Sequence, residues 1–202
     1  MEHIYIAGKE KHGPTLLLLH GTGGNEKDLL PLADIIAPKA SVLGVRGNVS
    51  ENGMPRFFKR IREGVFDEED LKFRTEELYN FIGEMSERYE FDRDQLIAIG
   101  YSNGANIAGS LLYHYEDALK GAILFHAMVP LKGVTLPPLK ETPVFIGAGE
   151  NDPLIPMNET KELAEVLKGA GGKVEEFWTN SGHQLTREEV EKAREWYEKN
   201  FH

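Results

Sequence analysis

The chain has 202 residues, of which 41% are hydrophobic and 28% charged, with a formal net charge of −10 and no cysteine. This length suits one domain or two very small ones, and the negative charge argues against binding to DNA, RNA or anionic membranes. Without cysteine there are no disulfides, thiolate metal sites or cysteine nucleophiles. No apolar run approaches the roughly 20 residues of a membrane-spanning helix, and the N-terminus has no apolar signal segment.

The first half of the chain alternates between apolar runs and helical patterns. Thr15–His20 is a short continuous apolar run, as expected of a strand buried on both faces. A helix is predicted over about 27–37, then a second strand at Ser41–Arg46. Asp67–Tyr89 is predicted to be a long helix, because its apolar residues recur at helical spacing and acids crowd its first turn.

The second half continues the alternation. Its predicted strands and helices are, in chain order, strand Gln95–Gly100, helix Ala105–Tyr115, strands Gly121–His126 and Pro143–Gly149, helix Glu159–Ala170, and a peripheral strand Lys173–Trp178. Thr186 and Glu189 form a capping box for a last helix, which runs to about Asn200. No repeat or linker interrupts the chain. The pattern predicts one α/β domain over residues 1–202 with a mostly parallel sheet, whose ligands bind beyond the carboxyl ends of the strands.

The segment Gly100–Gly104 reads GYSNG and joins a predicted buried strand directly to a predicted helix. A serine between two glycines in this context fits the nucleophile elbow, G-x-S-x-G, in which a sharp turn exposes the hydroxyl. An ordinary glycine turn is the alternative. We interpret Ser102 as a nucleophile.

A serine nucleophile needs a histidine base that is oriented by an acid, and in this fold the chain order is serine, acid, histidine. Asp152 lies just past a predicted strand; Glu150 is the rival acid, but Pro153 stiffens the loop of Asp152. His183 is the one histidine that is both downstream of the acid and at the carboxyl end of a strand. The alternatives are a turn or cap role for Asp152 and a plain surface loop for His183.

The negative charge that develops on the substrate's carbonyl oxygen requires backbone N–H donors. Asn103 follows the nucleophile at a helix N-terminus and is predicted to supply one donor. The loop His20–Gly24, of sequence HGTGG, follows the first buried strand, and Thr22 is predicted to supply the other. A phosphate loop is the alternative for this segment, which lacks the lysine of a Walker motif. No metal site is predicted, because there is no HExxH motif and no pair of histidines at ligand spacing.

With these residues, the chain resembles the phospholipase/carboxylesterase branch of the α/β-hydrolases, which is related to the acyl-protein thioesterases. The matching segments stand in family order and span nearly the whole chain: LLLLHGTGGNEKDLLPLA, VRGNVSENGMPRFF, IAIGYSNGANIA, PVFIGAGENDPLIP and GHQLT. The resemblance implies an α/β-hydrolase fold, esterase or thioesterase activity on small acyl substrates, no cofactor, a cytoplasmic location and often a homodimer. It carries over Ser102, Asp152 and His183 as a triad, with Thr22 and Asn103 as oxyanion donors.

The resemblance is not complete at the oxyanion donors. The thioesterases usually have glutamine where this chain has Asn103, and leucine where it has Thr22. These differences count against palmitoyl-protein substrates. The chain is also too short for a separate lid domain.

The substrate pocket is predicted from the loops that follow the strands. The long connection Gly47–Phe66 is expected to be functional because long loops in compact domains usually are. Its apolar residues, with others from the later loops, are expected to line the pocket: Met54, Phe57, Phe58, His126, Met128 and Leu154. The alternative for the aromatic residues is that they tether the loop to the core.

The sequence therefore predicts a serine carboxylesterase acting on small acyl esters, with no nucleic-acid partner and no stable membrane association. A thioesterase or lysophospholipase acting on longer chains is an alternative. So is a catalytically inactive α/β-hydrolase that binds a ligand.

Overall fold

The computed structural model describes residues 1–10 and 12–201; Lys11 and His202, which belong to the predicted domain 1–202, lie outside the described residues. The strands are β1 (His3–Ile6), β2 (Thr15–Leu19), β3 (Ser41–Val45), β4 (Val49–Glu51), β5 (Met54–Arg56), β6 (Arg60–Arg62), β7 (Val65–Phe66), β8 (Leu96–Tyr101), β9 (Gly121–Phe125), β10 (Pro143–Gly149) and β11 (Lys173–Thr179). The helices are α1 (Leu30–Ile36), α2 (Glu68–Tyr89), α3 (Asn103–His114), α4 (Met157–Gly169) and α5 (Arg187–Phe201), with a short 3-10 turn at Arg93–Gln95.

Seven strands form the central sheet in the order β1-β3-β2-β8-β9-β10-β11. Strand β1 is antiparallel to β3, and all other neighbours in this sheet are parallel. The predicted strand Lys173–Trp178 is confirmed as the peripheral strand β11. The predicted α/β-hydrolase fold, with a mostly parallel sheet flanked by helices, is confirmed.

The sheet is buried on both faces. On one face, Leu17 and Leu19 of β2 pack in a core with α2, α3 and α4. On the other face, Leu16 and Leu18 pack with α1 and α5. Successive side chains of a strand point to opposite faces, so a continuous run of leucines supplies both cores. No helix among the described residues is both long and apolar enough to cross a bilayer.

The structure departs from the prediction at some element boundaries. Strand β1 was not predicted, and α1 starts at Leu30 rather than near residue 27. Helix α3 starts at Asn103, two residues before the predicted Ala105. The long connection Gly47–Phe66 is not an open loop, since it folds into two hairpins, β4–β5 and β6–β7.

Candidate active site

Three parallel strands end at the same edge of the sheet, and each is followed by a predicted site residue. Ser102 comes directly after β8, Asp152 lies in the loop after β10, and His183 lies in the loop after β11. Ligands of open α/β sheets bind at this edge. The topology thus brings together three side chains that are far apart in the chain.

The turn from β8 into α3 holds Ser102 at a φ of 51° and a ψ of −112°. A positive φ in a residue other than glycine is strained by about 1–3 kcal/mol, so the surrounding structure must enforce it. A Cβ on Gly104 would collide with the carbonyl oxygen of Leu19, and one on Gly100 would lie 2.6 Å from Cα of Ala105. The backbone therefore approaches both glycines too closely for any side chain, as a nucleophile elbow requires.

Ser102, His183 and Asp152 form a continuous hydrogen-bonded line. Nε2 of His183 lies 2.9 Å from Oγ of Ser102, and Nδ1 of His183 lies 2.7 Å from Oδ2 of Asp152. Because the carboxylate can only accept, Nδ1 carries the proton and Nε2 is left to accept from the serine hydroxyl. The Tyr101 hydroxyl donates a 2.8 Å hydrogen bond to the carbonyl oxygen of His183, which fixes the loop that carries the imidazole.

The carboxylate of Asp152 is held by four donors, and its side chain is 2% exposed. Oδ1 accepts from the backbone N–H groups of Leu154 and Ile155, and Oδ2 accepts from His183 and from Nδ1 of His126 at 3.0 Å. Burial by itself would raise the pKa of Asp152, but the hydrogen bonds outweigh burial and lower the pKa. The acid that contacts His183 is Asp152 and not the rival Glu150.

His126 was predicted to line the pocket, but it is buried behind Asp152 and does not line the cavity. Its Nδ1 faces Asp152, and its Nε2 lies 3.0 Å from Oε1 of Glu189. The second contact is ionic, since the carboxylate lies off the line of the ring N–H bond. Burial alone would lower the pKa of His126, but Glu189 and then Asp152 outweigh burial and raise it. Glu189 also caps α5 through Oε2, which accepts from the backbone N–H of Thr186.

The loop that carries Thr22 leaves the backbone N–H of that residue free. The N–H groups of Gly23 and Gly24 are used by the carbonyl oxygens of Pro55 and Gly21, while that of Thr22 has no acceptor among the described residues. Nδ1 of His20 lies 2.6 Å from the Gly21 carbonyl oxygen and so holds that oxygen in the loop. Burial lowers the pKa of His20, which favours the neutral ring whose Nε2 accepts from the Gly47 N–H.

Asn103 is the first residue of α3, so its N–H has no acceptor within the helix. Its side chain is fixed, because Oδ1 accepts a 2.7 Å hydrogen bond from the N–H of Phe57. Thr22 and Asn103 thus each have a free backbone N–H group, Thr22 in the loop after β2 and Asn103 directly after Ser102.

A cavity of about 330 Å³ opens at Ser102 and His183. Met128 and Leu154 line it, in agreement with the predicted pocket. Four other predicted lining residues do not: Met54, Phe57, Phe58 and His126. Phe57 and Phe58 are 1% and 0% exposed and belong to the core, so the alternative that they tether the loop is correct.

One cluster of described side chains has the spacing of metal ligands: His126, Asp152 and His183 offer donor atoms within 4.8 Å of one another. Nδ1 of each histidine is already directed at Oδ2 of Asp152. A cation there would displace the hydrogen bond that orients His183. The arrangement therefore fits proton transfer better than metal ligation.

Several residues that shape the site were not predicted from the sequence: Arg56, Arg60, Tyr101 and Glu189. Glu189 was recognised only as a helix cap, and a helix cap carries no signal for a second contact with a distant histidine. Arg56 did carry a signal, because a charged residue inside the apolar stretch MPRFF has to be paired or face a site.

The parallel sheet, the serine at a strained strand–helix turn and the histidine–aspartate pair at the same edge define an α/β-hydrolase. A sequence profile of the phospholipase/carboxylesterase family matches residues 2–201, and the chain belongs to that family.

Relatives cover the whole chain. MhqD of Bacillus subtilis strain 168, named as a hydrolase, is 58% identical over 98% of each chain. The crystal structure of the Bacillus cereus carboxylesterase is 60% identical, covers 100% of this chain and 95% of its own, and superposes with a TM-score of 0.98. The structure of YahD with malic acid is 33% identical over 98% of each chain, with a TM-score of 0.94. Acyl-protein thioesterase 1 of Debaryomyces hansenii is 26% identical over 81% of this chain and 70% of its own.

Proposed function

We propose that the protein is a serine carboxylesterase that hydrolyses small acyl esters through an acyl-enzyme. The observation that carries the proposal is the hydrogen-bonded line from Ser102 through His183 to Asp152, with Ser102 at the strained turn. A serine hydroxyl becomes nucleophilic when a positioned base takes its proton.

The reaction has two halves. His183 takes the proton of Ser102 as Oγ attacks the ester carbonyl, and the N–H groups of Thr22 and Asn103 receive the charge on the carbonyl oxygen. His183 then returns the proton to the leaving alcohol, which leaves an acyl group on Ser102. Water repeats the sequence and releases the acid, while Asp152 orients His183 and stabilises its charged form.

The cavity supports small substrates. Its volume of about 330 Å³ is at the lower end of the range for ligand pockets, roughly 300–1,000 Å³. A long acyl chain would need a longer apolar groove. YahD, whose structure contains malic acid, also accommodates a small molecule. The thioesterase and lysophospholipase alternatives, favoured by the names of the more distant relatives, therefore rank second.

The direct test is the turnover of 4-nitrophenyl butyrate by the S102A variant. We expect kcat/KM to fall at least a thousandfold, by analogy with other serine hydrolases, with the thermal unfolding midpoint nearly unchanged. The matched control is S86A, since Ser86 lies on α2 and only donates to the carbonyl oxygen of Gly83. Turnover by S102A at the rate of S86A would refute the proposal.

Acyl-chain profiling separates the esterase from its alternatives. The proposal predicts the highest kcat/KM for esters with acyl chains of two to six carbons. A maximum at twelve to sixteen carbons, or a preference for thioesters, would favour the thioesterase or lysophospholipase. Ligand binding without any turnover would favour the inactive α/β-hydrolase.

A further inference from the structure

Two arginines line the cavity that contains Ser102. Arg56, at the end of β5, and Arg60, at the start of β6, both belong to the wall formed by the long connection. The one carboxylate side chain among the described lining residues is that of Glu63, which is exposed to solvent. Ligand pockets are lined mainly by apolar side chains, so two cations in one wall call for an explanation.

Arg56 is almost completely buried, with a side chain that is 4% exposed. Its Nη1 donates to Oγ1 of Thr22 at 2.6 Å, and its Nε donates to the carbonyl oxygen of Phe58 at 3.2 Å. Nη2 forms no hydrogen bond with any described residue. Burial, and then the nearby Arg60, lower the pKa of Arg56. Nη2 keeps solvent access, so its N–H pair is open to water or to an acceptor on a ligand.

The carboxylate that lies between the two arginines does not neutralise both of them. Glu51 is shared between the two arginines: Oε1 accepts a 3.0 Å hydrogen bond from Nε of Arg60, and Oε2 lies 3.6 Å from Nη1 of Arg56. Glu51 alone does not neutralise both guanidinium groups, and the other carboxylate of this wall, that of Glu63, is exposed to solvent, which screens its charge.

Two asparagines of α3 also line the cavity. Oδ1 of Asn103 accepts from the N–H of Phe57, and Oδ1 of Asn106 accepts from the N–H of Met128. These two hydrogen bonds use the amide oxygens of the side chains. The amide NH₂ groups therefore remain, and neither donates to a described residue. Nδ2 of Asn106 keeps solvent access and is open to a ligand in the cavity, whereas Nδ2 of Asn103 is fully buried.

From this geometry we infer that the cavity binds esters whose acyl part carries a free carboxylate, that is, monoesters of short dicarboxylic acids. The inference rests on the proposed function and names its substrate class. Arg56 and Arg60 receive the carboxylate as charge-assisted hydrogen-bond donors. The acyl part is the one assigned, because it stays bound to Ser102 in the cavity that Arg56 and Arg60 line, whereas the alcohol is released once His183 has protonated it.

The test compares monomethyl glutarate with methyl pentanoate, which has an acyl chain of the same carbon number, by measuring released methanol. We expect kcat/KM of the wild type to be at least tenfold higher for monomethyl glutarate. Arg60→Gln is expected to lower this ratio about tenfold to a hundredfold, the usual range for a hydrogen bond to a charged group. Arg60 is chosen for substitution because Arg56 also holds Thr22 through a hydrogen bond. The loss of Arg56 would therefore change the turnover of both esters.

The matched control is Arg62→Gln, which removes the same charge from the same strand at an exposed residue outside the cavity. We expect this variant to keep the wild-type ratio and Arg60→Lys to keep most of it. Equal kcat/KM for the two esters in the wild type, or a wild-type ratio in Arg60→Gln, would overturn the inference. If turnover of methyl pentanoate still depends on Ser102, the proposed function survives that failure.

Calorimetric titration with glutarate tests the anion site without turnover. We expect glutarate, but not pentanoate, to bind the wild type, and Arg60→Gln to weaken its binding at least tenfold. If no ester is hydrolysed but glutarate binds in this way, the proposed function fails and the carboxylate site stands. Glutarate that does not bind, or that binds Arg60→Gln as well as the wild type, overturns the site.

Discussion

Oδ2 of Asp152 accepts hydrogen bonds from two imidazole rings, His183 on the side of the cavity and His126 on the side of the core. His126 lies between two buried carboxylates, those of Asp152 and Glu189, so its cationic form is favoured. The line of contacts at the active site, hydrogen-bonded from Ser102 to His126 and ionic from His126 to Glu189, therefore extends to the first turn of α5. His126 is a positioning residue, because it reaches the reacting atoms only through Asp152.

Glu189→Gln tests the buried end of this line. Glutamine keeps the size and the capping role of Glu189 but removes the charge that stabilises the cationic His126. We expect the free energy of unfolding at pH 6 to fall by roughly 3 kcal/mol, as for other broken buried ion pairs. The measurement is urea unfolding followed by tryptophan fluorescence.

The pH dependence of this loss is also predicted. The lowered pKa values of Asp152 and Glu189 give stability that is present above their ordinary values, 3.8 and 4.5, and is lost as pH falls through the lowered values. The raised pKa of His126 gives stability that is present below 6.5 and is lost as pH rises through the raised value. The difference between wild type and Glu189→Gln is therefore largest between about pH 4.5 and 6.5.

The control for this variant is Glu188→Gln, on the exposed side of the same helix turn. It is expected to cost less than about 1 kcal/mol, with no maximum in that pH window. Equal losses for the two variants would show that the charge of Glu189 has no special partner.

Residue types and chain order were enough to predict that Ser102, Asp152 and His183 lie together, because each follows a recognisable strand. The partners of Asp152 could not be predicted in the same way. His126 was correctly placed after a strand, but whether its ring faces the pocket or the core depends on the packing of Glu189 from a helix about 60 residues away.

At the scale of elements, the elbow depends on the close packing of α3 against β2 and β8. Gly104 lies against the carbonyl oxygens of Leu19 and His20, and Gly100 lies against the first turn of α3. Backbone atoms cannot move aside as a flexible side chain can, so these contacts fix the angle at which α3 leaves the sheet.

Gly104→Ala and Gly109→Ala form a matched pair on one helix. A Cβ on Gly104 would collide with backbone, and we expect a loss of about 3 kcal/mol or more together with a loss of ester turnover. A Cβ on Gly109 would meet only Cγ of Pro130 at an ordinary 3.5 Å, and there alanine is expected to gain up to about 1 kcal/mol from helix propensity. Thermal unfolding of both variants tests this; a stable, active Gly104→Ala would contradict the account of the elbow.

Strands and helices were predicted correctly where their sequence patterns are strong and were missed where the patterns are weak. Buried strands such as Thr15–Leu19 were found because they contain a continuous apolar run, here four leucines, and the capping box marked the start of α5. Strand β1 was missed because its four residues are largely half-buried and follow no clear alternation. The hairpins β4–β5 and β6–β7 are only two or three residues long in each strand, too short for a period to appear.

At the scale of the whole molecule, the site exists only in the folded sheet. Ser102, Asp152 and His183 follow the ends of β8, β10 and β11, and β9 lies between β8 and β10. Parallel pairing of these strands is non-local, so no isolated segment of the chain can bring the three side chains together. The reactivity of Ser102 should therefore follow the folding of the entire sheet.

Labelling with a fluorophosphonate, located by peptide mapping, tests the activation of Ser102 most directly. The account predicts one adduct per native chain, on Ser102, a rate at least a hundredfold lower in His183→Ala, and no labelling in urea above the unfolding transition. A native wild-type protein that is not labelled at Ser102, or a folded His183→Ala variant that is labelled at the wild-type rate, would contradict it.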